Sequence, residues 1–430
     1  MNGRDIIRSL KDSEILRNTS ILVSGTALAQ LIPVLLQPFL RRFYSPESFG
    51  AYSVYLSLIG IFSIIASFKY DLAIVLPKKD RDAANIMFLS VLISFLFSST
   101  LAIIILIWKT EIAIFLNLSG SFSSFLLLAP AGVFFYSFYQ TINNWLTRKK
   151  SFLLISVNKF TRRGVEGVAQ LGFKSLAGSY GLVLGDILGH IANVISGLFQ
   201  WKKRGLHTGM VSPVKMIYVA RKYSEFPRIN VIPSFMSACS FLLPAIMLNK
   251  FFSTEIAGYF DLSKLLLSVP LALISASVSN VLLQSLTEKI NDRKSLKKDL
   301  LLVLGLVLSI GTAEIIIIAL FGIGIFKFIF GEVWEFSGKI SQILVWSYAL
   351  NFFVASFSTV FVSLQKIKLL SVWQIFYFLS IISLIFFRNM EFLEFIKLYV
   401  FIEISCYLAI IILMTYIVVS YERKLLYQNL

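Results

Sequence analysis

The sequence is poor in the residues that carry metal and redox chemistry. Histidine occurs twice, at His190 and His207, and cysteine twice, at Cys239 and Cys406. Neither histidine has a cysteine or carboxylate partner at metal-ligand spacing, so no metal site is expected. Each cysteine lies inside an apolar run and reads as a small core residue, which argues against a disulfide framework. Charge is scarce too: 15% of residues, where soluble domains carry about 25%. That excludes an ordinary water-soluble domain. No Walker A loop is present, and Gly322-Ile323-Gly324 sits in an apolar run without the strand–turn–helix setting of a nucleotide loop. No cofactor is expected. The longest polar connection is about twenty residues, shorter than the folded external loop of most membrane glycan polymerases, so a non-enzyme is expected.

What is present is apolar: 57% of 430 residues are hydrophobic. A spanning helix needs about 20 residues, so roughly a dozen fit. The expected helices are 18–40, 49–76, 83–108, 122–146, 151–173 and 178–200, then 224–249, 256–287, 299–326, 338–364, 369–387 and 393–420. The fold class is thus an all-α integral membrane protein, with a six-helix lobe at 1–200, a linker at 201–222 and a second six-helix lobe at 223–430. Met1–Arg17 is polar and Ile21–Leu40 lacks a small-residue cleavage site, so no cleavable signal is expected.

A repeat supports the two lobes. Ser45, Glu47 and Gly50 fall on Ser253, Glu255 and Gly258 at a constant offset of 208 residues, and Tyr44 and Tyr52 fall on Phe252 and Phe260. Two similar apolar halves are the layout of a transporter. The formal net charge of +17 would suggest nucleic acid in a soluble protein. Here the basic residues alternate between loops, 25 on one side and 9 on the other, with Arg41-Arg42 as the local exception. The positive-inside rule then places both termini in the cytoplasm.

Six basic residues remain inside the expected spans: Lys69, Lys159, Arg162, Arg163, Arg228 and Lys264. A charge at the bilayer centre costs roughly 2.5–3.5 kcal/mol on insertion scales, so each needs a partner or a wet cavity. These are the candidate substrate-binding residues. Asp71, Glu166 and Asp261, acidic and near basic neighbours, are the candidate ion-coupling groups. Helix five carries the strongest signal, with Lys159, Arg162, Arg163, Glu166 and Gln170 on one arc and Gly164, Gly167, Ala169 and Gly172 on the other faces for close helix approach. Such a stripe should face a cavity holding water or an anion, and guanidinium forks suit phosphate oxygens. The alternative is an amphipathic helix lying on the membrane surface. Other readings stay open as well: Lys69 snorkelling from a helix end, Asp261 and Lys264 as a local ion pair, and Pro227, Pro233, Pro244 and Pro270 as hinges or packing bends. The aromatic group Phe134–Tyr139 with Trp145 reads as anchor or packing rather than sugar platform.

Several segments resemble a known family. Phe68-Lys69-Tyr70-Asp71-Leu72-Ala73-Ile74-Val75-Leu76-Pro77 resembles the basic-Tyr-acidic-x-Ala-Ile-Val motif of bacterial polysaccharide flippases, and Arg42–Gly50 resembles the turn after their first helix. Tyr223-Ser224-Glu225-Phe226-Pro227, Ala257-Gly258-Tyr259-Phe260 and Lys264 with Pro270 are similar to segments of their second half. The family is the Wzx-type O-antigen and exopolysaccharide translocases of the multidrug/oligosaccharidyl-lipid/polysaccharide exporter (MOP) superfamily, which includes the MATE exporters. The resemblance implies two lobes around a central cavity in a bacterial cytoplasmic (inner) membrane. It implies a substrate as well: an oligosaccharide repeat unit of O-antigen lipopolysaccharide, capsule or exopolysaccharide on undecaprenyl diphosphate, moved to the periplasmic leaflet. Membrane lipids and other polysaccharide assembly proteins are the expected partners, with no nucleic acid. The alternatives are a MATE-like small-molecule exporter and, from another class, a membrane glycan polymerase.

Overall fold

The computed structural model describes residues 14–203 and 205–428. The expected cytoplasmic N-tail through Ser13, and Arg204 of the basic linker, lie outside the described residues. Among those described no strand occurs, and twelve α-helices run sixteen residues or longer. They are α1 (Glu14–Phe43), α2 (Pro46–Ala66), α3 (Asp80–Ile107), α4 (Phe125–Arg148), α5 (Phe152–Ala177), α6 (Tyr180–Lys203), α7 (Val231–Phe251), α8 (Thr254–Asn291), α9 (Lys297–Phe330), α10 (Glu335–Phe357), α11 (Ile367–Ile382) and α12 (Phe392–Gln428). Ten helical stretches among the described residues are long and apolar enough to cross a membrane; α1 and α5 are not among them. Many large apolar side chains face outward, such as Phe328 at 84% and Phe386 at 85% exposure. Water would not tolerate such a surface and lipid would. The protein is a multi-pass membrane protein.

The chain divides into two compact units, Met1–Ala238 and Cys239–Leu430. In the first, Ala83, Ile86, Met87, Ile142 and Trp145 form a core that also buries Leu206 and Val219. Those two come from the stretch read as a linker. It contains a short helix, Pro213–Lys222, and its loop is tied down by Asn85, whose amide donates to the Met210 carbonyl (2.9 Å) and whose Oδ1 accepts from Ser212 N (2.9 Å). The second unit packs Phe260, Leu344, Tyr348, Phe395 and Tyr399 in one cluster and Phe352, Phe357, Phe361, Tyr407 and Ile410 in another.

The repeat has a physical basis in helix capping. Ser45 Oγ accepts from Ser48 N (3.3 Å) at the start of α2, and Ser253 Oγ accepts from Ile256 N (3.1 Å) at the start of α8. Each satisfies one orphan N–H of its first turn, and each is followed by an acidic residue, Glu47 or Glu255, in that turn.

Two of the breaks in the expected helices fall at candidate cations, Lys69 and Arg228. The span 49–76 ends at Ala66, because Phe68 and Lys69 adopt left-handed φ values of 47° and 60°. A 3-10 turn, Tyr70–Val75, follows. Arg148, last residue of α4, holds the segment in place: it donates to the Pro77 carbonyl (2.5 Å) and pairs with Asp80 (3.0 Å). The second break is a π-turn at Phe226–Asn230, containing Pro227, ahead of α7. Proline removes an N–H and so favours such a shift of register.

Candidate functional site

Helix α5 does not lie on the surface. It packs along α6 on one side and α1 on another, with Val168 left 73% exposed on its outer face. Sequence reasoning assigned the close approach to small residues on α5, and the structure bears this out at Gly167, where a Cβ would run into the Leu36 side chain of α1, but not at two of the others. A Cβ at Gly164 or Gly172 would meet nothing within 4 Å. Where α5 meets α6, the close approach is made by glycines of α6: a Cβ on Gly189 would sit 2.9 Å from the Arg162 carbonyl, and one on Gly185 would run into the Gln170 side chain. The two helices therefore nearly touch, and side chains on both share one buried layer.

That layer is charged. Arg163 Nη1 donates to both Glu166 oxygens (2.8 and 3.1 Å). Arg162 Nη2 lies 3.5 Å from Asp186 Oδ1, and its Nε lies 4.0 Å from Glu166. Tyr55 OH donates to Asp186 Oδ2 (3.4 Å), and His190 Nε2 stands 3.5 Å from Asp186 Oδ1. Asp186 and His190 are each 1% exposed. Gln170, expected on the cavity face, is buried instead, donating to Tyr52 OH (3.2 Å) and the Leu182 carbonyl (3.2 Å).

Above the layer is a polar cavity of about 310 Å³, lined by Lys159, Arg162, Arg163, Tyr136, Tyr139 and Asn143, together with Thr26, Ala29, Gln30 and Gln140. Lys159 Nζ donates to Thr26 Oγ1 (2.9 Å), reaching across to α1. The Arg162 guanidinium lies 5.8 and 5.7 Å from the ring centres of Tyr136 and Tyr139. Three cations against two carboxylates, Glu166 and Asp186, leave one formal positive charge. Arg162 is the less satisfied arginine, since its Nε has no hydrogen-bond partner among the described residues. The cavity can accept an anion or a polar, hydroxyl-rich group and excludes an apolar one.

Of the six candidate cations, the structure brings Lys159, Arg162 and Arg163 together. Lys69 and Arg228 are elsewhere in the first unit, where the turn Tyr70–Val75 meets the π-turn Phe226–Asn230, and Arg228 is exposed. Lys264 belongs to the second unit. Its ammonium donates to the Phe241 carbonyl and lies 3.5 Å from that residue's ring centre. Of the candidate carboxylates, Glu166 holds Arg163. Asp71 accepts from Ser67 Oγ (2.6 Å) and Asn144 Nδ2 (3.1 Å), and Asp261 lies on α8 one turn from Lys264. Sequence reasoning did not place Asp186 among the site residues, gave His190 no carboxylate partner, and read Tyr136 and Tyr139 as anchor or packing. The available signal was Asp186 and His190 at i, i+4 within an apolar helix.

The second unit has its own buried polar group. Glu403, 4% exposed, accepts from Tyr399 OH (2.7 Å) and Tyr377 OH (2.9 Å). Tyr377 in turn meets Tyr407 OH (3.3 Å), which accepts from Asn351 Nδ2 (2.7 Å). The Trp373 ring stacks on Tyr377 at 5.3 Å. Among the described residues no group of three or more metal-ligating side chains occurs.

Solved structures share this fold. The chain is similar to the inward-facing conformation of a multidrug resistance MATE family transporter of the MOP superfamily, with TM-score 0.73, 16% identity, and 92% of this chain and 99% of that one covered. It is also similar to an MOP superfamily transporter from Pyrococcus furiosus described as having a binding pocket of reversed polarity, with TM-score 0.63, 15% identity, and 94% and 96% covered. The outward-facing conformation of a MATE family transporter matches with TM-score 0.62, 15% identity, and 94% and 96% covered. No curated protein sequence matches. The family model for polysaccharide biosynthesis proteins matches residues 39–339, well over half the sequence, and the chain belongs to that family.

Proposed function

We propose that the protein is a flippase for oligosaccharide repeat units carried on a polyprenyl diphosphate, working by alternating access without chemistry on its cargo. The observation that carries this reading is the cavity on α5, where Lys159, Arg162 and Arg163 meet two tyrosines in a membrane-spanning bundle. A volume of about 310 Å³ is at the lower end for ligand sites, roughly 300–1,000 Å³, and suits a diphosphate and its first sugar rather than a whole repeat unit. Lys159 attracts the anion, and Arg162 and Arg163 can turn their forks from Asp186 and Glu166 toward phosphate oxygens. Release would follow when the carboxylates reclaim them. Glu166 is the coupling candidate closest to this exchange; Asp71 and Asp261 are retained as candidates away from it. Membrane lipids and polysaccharide assembly proteins of a bacterial inner membrane are the proposed partners.

A second reading is a small-molecule exporter. The observation in its favour is the neutralisation of both arginines by Glu166 and Asp186, which leaves the cavity only weakly cationic. One pair of assays separates the two. Losing a charge-assisted contact of roughly 1.5–3 kcal/mol weakens binding about ten- to a hundredfold. At constant protein level, Lys159→Gln should depress surface glycan and strand lipid-linked repeat units on the cytoplasmic side. Full glycan export by Lys159→Gln, with efflux of a cationic dye by the parent protein, would select the exporter.

A further inference from the structure

We infer that the second unit binds an anionic glycerophospholipid, with an acyl chain in the groove between α9, α10 and α12 and the phosphate on Lys297, Arg423 and Lys424. The groove has a volume of about 280 Å³ and is walled by Leu300, Leu304, Phe353, Phe357, Met414 and Val418. Lys297 is the one charged residue of its lining. A second depression, of about 360 Å³, shares Thr415 and Val419 with the groove and adds Tyr416, Ser420, Arg423 and Lys424. An apolar trough thus opens into a basic mouth.

The mouth is held together by a carboxylate used for another purpose. Glu422 accepts from Leu296 N (2.7 Å) and Ser295 Oγ (3.0 Å), pinning the end of α12 to the start of α9. This sets Arg423 and Lys424 beside Lys297. The other acids nearby are already occupied: Asp299 pairs with Lys289 (2.6 Å) and Asp292 with Lys294 (2.8 Å). Among the described residues none of Lys297, Arg423 and Lys424 has a carboxylate at ion-pair distance, so three cations face outward unmatched. Free phosphate or sugar gains nothing from a leucine and phenylalanine trough. A zwitterionic lipid brings its own cation to the mouth. An anionic phospholipid matches both ends, and basic pockets between membrane helices favour such head groups. The site belongs to the second unit alone and does not depend on the flippase reading.

The full-length protein in nanodiscs of dioleoylphosphatidylglycerol and dioleoylphosphatidylcholine provides the test, with retained lipid read by native mass spectrometry. Phosphatidylglycerol should be retained about tenfold over phosphatidylcholine. The triple variant Lys297→Gln, Arg423→Gln, Lys424→Gln should bring the two to parity. Leu304→Trp, which fills the groove and leaves the mouth intact, should reduce retention of phosphatidylglycerol; if it lowers Tm, Leu301→Trp at an exposed lining position replaces it. Equal retention of both lipids by the parent protein would overturn the inference. So would a preference that survives either variant, or displacement of phosphatidylglycerol by an equimolar polyprenyl diphosphate, which would assign the groove to the cargo.

Discussion

The two units bury polar groups in opposite ways. The first sets two arginines against two carboxylates and a histidine, drawn from α5 and α6. The second surrounds one carboxylate, Glu403, with tyrosine hydroxyls. The frames around them are repeated, down to the serine caps at Ser45 and Ser253, yet the interiors are not. At the offset that superposes the caps, Arg162 and Arg163 fall on Leu370 and Ser371. The charged layer is therefore not something the fold requires of a half, which makes it a property of what the first half does. The contrast is also one of robustness. A charge pair fails when either member is lost, whereas a carboxylate in a ring of hydroxyls keeps donors when one leaves.

The largest expected effect tests that contrast directly. Arg162→Ala strands Asp186 beside His190 and should destabilise the protein by about 3–5 kcal/mol, read as Tm in detergent. Adding Asp186→Asn should recover most of it. Glu403→Gln keeps an oxygen acceptor for Tyr377 and Tyr399 and should cost about 1–2 kcal/mol; a loss as large as that of Arg162→Ala would erase the distinction. Next comes the helix contact that creates the layer. Gly189→Leu should cost about 1–3 kcal/mol by forcing α6 from α5. Gly164→Ala, in open space, should be neutral or stabilising by about 0.5–1 kcal/mol. The caps sharpen the other half of the comparison, since Ser45→Ala and Ser253→Ala should each cost about 1 kcal/mol in separate denaturation profiles. A cost at only one would deny the two helix starts a common role. Smallest of all, Val168→Ala on the outer face of α5 should stay within about 0.5 kcal/mol and leave glycan export unchanged.

The helices were legible because lipid-facing surfaces write their length into hydropathy. Lys159, Arg162 and Arg163 were legible because three cations on one arc of a membrane helix demand an explanation. The Arg163–Glu166 pair lay on that same arc, but the pairing of Arg162 with Asp186 was not legible, since Asp186 and His190 sit on the next helix, and helical spacing reports only on residues of the same rod. The glycines illustrate the same limit. Gly164 and Gly172 lie off the stripe, as periodicity says, yet meet no neighbour, whereas Gly167 meets α1 and the contact with α6 is made by Gly185 and Gly189 of that helix. The break at Ala66 was hidden for a different reason: Phe68 and Lys69 are not residues that advertise a left-handed turn, and the chain is held in it by Arg148 from a distant helix.

The connector that gives Leu206 and Val219 to the first core also bears on how the chain is made. A core whose buried residues end at Val219, with Tyr223 and Phe226 packed against it, can complete itself while the second half is still on the ribosome, because among the described residues nothing it buries is drawn from beyond the π-turn. The first half would then stand in the bilayer as a finished partner, its charged layer already neutralised, when the second emerges. The order of synthesis would thus shelter the arginines and carboxylates at the stage when bare charges in lipid would be hardest to accommodate.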